Sequence, residues 1–115
     1  MNVEVEDRIK RDPANDARIA RAVRLLEDEL GPSRDHVAAD WIVNRDNQGK
    51  EVFELRVIDS AESDSARSRF THEELGDEEL VRSRIHRLWG DILQARSHKQ
   101  LERLHRMVLN LGEAS

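Results

Sequence analysis

Three side chains near the carboxyl end have the types and spacing of a metal site. His98, Glu102 and His105 stand at i, i+4 and i+7, so on a helix they project within roughly 60° of one another. Imidazole and carboxylate suit zinc or a similar divalent ion. The spacing works against this, because His98 and His105 lie nearly two turns apart and the tighter H-E-x-x-H arrangement is absent. The trio therefore reads as a solvated helix face on which Glu102 pairs with Arg106, and no metal or cofactor is expected.

Other catalytic chemistry finds little to build on. The chain has no cysteine, which excludes thiol catalysis, disulfides, zinc ribbons and iron–sulfur clusters. No serine stands in G-x-S-x-G, and the five glycines are isolated rather than gathered into a phosphate-binding loop. Asp40, next to Trp41, reads as an outward-facing strand residue. The expectation is a protein that is not an enzyme.

Basic residues offer a second chemistry. The net charge is −5, yet residues 82–106 hold seven basic side chains against two acidic ones. Arg82, Arg84, Arg87, Arg96, Lys99, Arg103 and Arg106 could track a phosphate backbone, and two helices meeting near Arg96–Ser97 have the outline of a helix-turn-helix. Against this stand the acidic balance of the whole chain and the absence of tyrosine for base stacking. Nucleic-acid binding by these helices is the alternative reading, and a face that balances acidic residues within the fold or across an interface is the simpler one.

The elements that must position these groups follow from periodicity. Asp12 suits an N-cap, Pro13 the first helical position and Gly31-Pro32 the far end. Between them Ile19, Val23, Leu26 and Leu30 form one apolar stripe. Residues 1–11 are compatible with a short strand or a frayed lead-in. His36–Asn44 and Glu51–Asp59 alternate as the arms of a β-hairpin, and the Asp, Asn and Gly between them suit its reversal. Asp59–Arg69 is small and polar without a period and reads as a mobile loop. Thr71 to Glu74 fits a capping box, Gly76 ends that turn, and Asp77 can cap the next helix.

Two helical stripes come next. Val81, Ile85, Leu88, Trp89 and Ile92 form one, while Leu101, Leu104, Val108 and Leu111 form another out of phase with it. Ser97 to Gln100 repeats the capping-box pattern, so a break near Arg96–Ser97 is expected, with one continuous helix the alternative. The 115 residues then make a small single α+β domain ordered helix, β-hairpin, helix, helix, with the hairpin packed on helices. The apolar runs are too short for a membrane-spanning helix or a secretory signal, which predicts a soluble cytoplasmic protein without a membrane partner.

The function expected from these features is a non-catalytic protein–protein interaction or regulatory module that self-associates. Its contact surface is the stripe of Leu101, Leu104, Val108 and Leu111, edged by Lys99, Arg103, His105 and Arg106. The first helix carries Glu27, Asp28 and Glu29 beside Leu26 and Leu30, so pairing of the two helices, within one chain or between two, would match their charges.

Overall fold

The computed structural model describes residues 1–60 and 64–114. Strand β1 (Asn2–Val5) and a single helical turn, α1 (Asp7–Lys10), open the chain. Residues 1–11 are thus a strand and a turn, because Val3 and Val5 share the face that meets the core and Ile9 is fully buried behind them. Helix α2 (Pro13–Leu30) starts where the cap residues place it, with the Ala14 N–H donating to Asp12 Oδ1 at 3.0 Å. Gly31, at φ 55°, ends it and leads into a 3-10 turn over Gly31–His36.

Strands β2 (Val37–Arg45) and β3 (Glu51–Asp59) form the expected hairpin, in register from Val37↔Asp59 to Arg45↔Glu51. Asp46 organises the reversal: its Oδ1 accepts from the N–H groups of Gln48 and Lys50, each at 2.9 Å, and Gly49 takes the positive φ of 76°.

The expected mobile loop at Asp59–Arg69 is corrected. Asp64–Phe70 is strand β4, antiparallel to β3 from Phe53↔Phe70 to Asp59↔Asp64, while residues 61–63 of that stretch lie outside the described residues. Its inward positions are Asp64, Ala66, Ser68 and Phe70, alternating with outward Ser65, Arg67 and Arg69. Small inward side chains suffice because β3 and the last helix close over them, and an edge strand tolerates outward arginines. The sheet is mixed, in the order β1-β2-β3-β4, with β1 parallel to β2.

Thr71 caps α3 (His72–Leu75) in a complete capping box, and Asp77 Oδ1 accepts from the Leu80 N–H as α4 (Glu78–Ala114) begins. The expected break near Arg96–Ser97 is also corrected, since α4 runs on as one helix of 37 residues. No proline interrupts it, and the change of stripe needs no break because the outer stripe faces away from the core that holds the inner one. At 1.5 Å per residue the helix is about 55 Å long, which accounts for the longest dimension of the molecule, 64 Å.

One face of the sheet carries the core. Trp41, Phe53, Leu55, Val57 and Phe70 meet Ile19, Leu26 and Leu30 of α2 and Val81, Ile85, Leu88 and Ile92 of α4. The other face carries polar groups paired across strands: Asp40 with Arg56 at 2.6 Å, and Glu54 accepting from the Asn44 amide at 3.0 Å beside Arg67 and Arg69. Asp40 is outward-facing as expected, and its carboxylate raises the Arg56 pKa.

Candidate functional site

The first twenty or so residues of α4 are bound to the body, and the rest stand off it. Val81, Ile85, Leu88 and Ile92 fill the core. At 100° per residue their arc continues outward as Arg96, Lys99, Arg103 and Arg106, so the inward face turns from apolar to basic as the helix passes the end of the sheet. That end is acidic. Asp59 is fully buried and lies directly opposite Asp64, itself 8% exposed, an arrangement that is unfavourable unless compensated. The compensation comes from α4: Arg96 binds Asp59, and Lys99 Nζ lies 2.6 Å from Asp64 Oδ1. The Arg96 guanidinium also lies 5.7 Å from the centre of the Trp89 ring. Two ion pairs thus fix the helix just where it leaves the body.

The outer half carries the apolar stripe. Leu101, Leu104, Val108 and Leu111, joined by Met107, are each 57–70% exposed. These five lie within about 120° of arc, turned by about 120° from the core stripe. Leu93, 40% exposed, stands on the same side nearer the body. The exposed side chains form one apolar row along the protruding half of the helix.

The partner first expected for this stripe is already engaged. Ile19, Ala22, Leu26 and Leu30 of α2 are buried against the rest of the core, and α2 packs on the inner half of α4, where the Glu29 carboxylate meets His86 at 2.5 Å. Within the chain, therefore, the outer stripe and α2 do not pair. The reason is position: the inner stripe reaches α2 first, and a continuous helix carries the outer stripe past it.

The seven basic residues are not gathered on one surface. Arg82 pairs with Glu78 at 3.1 Å, and Arg84 binds Glu74 while donating to the Arg69 carbonyl at 2.5 Å. Arg96 and Lys99 hold the strand-end aspartates, whereas Arg87 faces the cleft beside β4. Arg103 and Arg106 lie farther out on α4. The Arg84 guanidinium holds the Glu74 carboxyl below the usual carboxylate range, against the opposing effect of burial. Glu6 is lowered chiefly by the Val43 N–H, which donates to it at 2.7 Å, and then by Arg8.

In the histidine trio, Glu102 meets His98 at 3.1 Å rather than the expected Arg106. Among the described residues no three metal-ligating side chains come together. No helix of the described chain is long and apolar enough to cross a membrane.

Sequence reasoning missed two features. One is the acidic strand end with its clasp, signalled only by Asp59 and Asp64 at the two ends of a stretch lacking large apolar residues. The other is an open cleft of about 600 Å3 between β4 and α4. The alternation of serine and alanine with arginine over 65–69 was its available signal. No protein-family model, curated protein or solved structure matches this chain.

Proposed function

We propose that the protein is a non-catalytic interaction module that self-associates through the outer half of α4, a second copy of the chain being the occupant of its apolar stripe. The observation that carries this reading is the exposure of Leu101, Leu104, Met107, Val108 and Leu111 on a helix that stands clear of its own core.

Three features favour a second copy. The 3-4-3 spacing of Leu101, Leu104, Val108 and Leu111 is that of a two-helix seam. The positions flanking it are His98, Gln100, His105 and Met107, none of them Lys, Arg, Asp or Glu, so identical helices bring no such charges face to face at the seam. Lys99, Arg103 and Arg106, expected to edge the seam, lie instead on the far side of the helix, because at 100° per residue they continue the arc of the core stripe. Energy sets the strength. Five half-exposed side chains on each of two copies yield about 10 kcal/mol on burial. Association itself costs about 4 kcal/mol or more, leaving at best about 6 kcal/mol, a dissociation constant of tens of micromolar.

Light scattering across protein concentration tests this. The wild type is expected to rise above the mass of one chain at high micromolar concentration, and Leu104→Asp to remain a folded single chain. Because the seam is apolar, raising the salt should leave the wild-type assembly intact. A wild type that stays at one chain mass throughout that range overturns the reading.

A further inference from the structure

A second surface lies at the opposite side of the sheet from β1. Strand β4 is an edge: among the described residues it pairs with β3 alone. The hydrogen-bonding phase follows from the ladder. Ser60 N–H donates to the His36 carbonyl at 2.8 Å, which turns the backbone groups of residues 52, 54, 56 and 58 toward β2 and those of 53, 55, 57 and 59 toward β4. Their partners in β4 are Asp64, Ala66, Ser68 and Phe70, so the N–H and C=O groups of Ser65, Arg67 and Arg69 point outward from the sheet. The Arg69 carbonyl accords with this by accepting from Arg84 across the cleft at 2.5 Å.

The cleft beside this edge has a distinct charge. Arg67 and Arg69 rise on its open-face side, each about two-thirds exposed. Arg84 and Arg87 of α4 line the other wall, with Leu88 between them and the strand. Against these four arginines stand Glu74, taken by Arg84, and Asp91, with Glu54 3.6–3.9 Å from Arg69 and Arg67 on the open face, so the cleft keeps a net positive charge.

We propose that the β4 edge takes an extended acidic segment of a partner protein as a fifth strand, its backbone pairing with Ser65, Arg67 and the Arg69 N–H, and its carboxylates meeting Arg67 and Arg69. Alternating side chains of an added strand face opposite ways, so the segment places acidic residues on the open face and small apolar ones toward Leu88. A second copy of β4 fits poorly, because Arg67 and Arg69 would oppose their own counterparts. A second copy of β1 offers four residues with only Val3 and Val5 on its outer edge, against the seven of β4. Single-stranded nucleic acid lacks a stacking surface here, since Phe70, the aromatic of the cleft, is fully buried. This surface is separate from the α4 stripe and does not depend on it.

The test is fluorescence anisotropy with a labelled octapeptide of alternating glutamate and valine, titrated with the full chain. Binding is expected and should weaken as salt is raised. The same peptide N-methylated at alternate residues keeps its charge but cannot pair as a strand, and is expected to bind at least tenfold more weakly. A lysine–valine octapeptide should not bind. Arg67→Gln with Arg69→Gln should weaken the glutamate peptide at least tenfold, with circular dichroism confirming the fold. No binding of the glutamate peptide overturns the proposal. So does equal binding of the N-methylated form, which signals charge attraction without strand pairing, or peptide-free polymers that Arg67→Gln dissolves, which makes a second copy the occupant.

Discussion

Replacing Arg96 by leucine isolates the energetic role of the strand-end clasp. Arg96 reaches from α4 to Asp59, a carboxylate with no solvent exposure that also faces Asp64 across the β3–β4 ladder. Leucine preserves packing against Trp89 but leaves a buried negative charge without its main counterion. Breaking a buried ion pair from one side costs about 3–5 kcal/mol. The lower figure applies here, because Lys99 stays within reach of the neighbouring Asp64. For a domain of this size about 3 kcal/mol lowers the thermal midpoint by roughly 12 °C. Asp59→Asn in the same chain removes the stranded charge and should restore at least half of the loss. Denaturant melts of the wild type, both single variants and the double variant give that coupling directly, expected at about 1.5 kcal/mol or more. If Arg96→Leu melts within about 1 kcal/mol of the wild type, or Asp59→Asn restores nothing, the contact is worth no more than a surface salt bridge and the clasp does not anchor the helix.

Glu74 and Glu6 both have lowered pKa values in the folded chain, so their stabilisation is full above the ordinary carboxylate value of 4.5 and is lost as pH falls through the folded values. Glu74→Gln should therefore cost about 1 kcal/mol at pH 7, through the weakened Arg84 contact and capping box, and progressively less as pH is lowered below 4.5, as read from urea melts at each pH. In β4, Ser68 donates its N–H to β3 whereas the Arg67 N–H faces outward; Ser68→Pro should thus cost about 3 kcal/mol or more, and Arg67→Pro distinctly less. Equal losses for the two in urea melts would show that the ladder phase is shifted.

The hairpin was legible because both arms alternate large apolar with polar residues and Asp46 and Gly49 mark the reversal. The first helix was legible for a similar reason, its ends being written in Asp12, Pro13 and Gly31. Strand β4 was not legible, because its core positions hold Ala66 and Ser68, whose small side chains give no apolar period. The continuity of α4 was hidden by a real change of phase: two stripes on one helix look like two helices when each is assumed to serve the same core. The outer stripe was itself visible as a surface, but its expected pairing with α2 was not realised, since that choice depends on which stripe arrives first in three dimensions. The clasp joins residues 37 apart in sequence, beyond the reach of any local pattern.

The protruding half of α4 also determines how local order is distributed along one helix. Beyond Lys99 its turns are supported by their own backbone hydrogen bonds and not by a core, and a helix segment of that length is marginal on its own in water. The anchored half supplies the nucleus, so the outer turns exist by propagation from Arg96 and Lys99, each successive turn opening more readily than the last. Amide exchange should then quicken steadily toward the tip, with the local opening free energy falling toward zero there while the inner turns follow global unfolding. A body that docks on the tip captures a segment whose helical direction is already set, and the ordering entropy left for binding to supply is that of a few frayed turns rather than of a disordered tail.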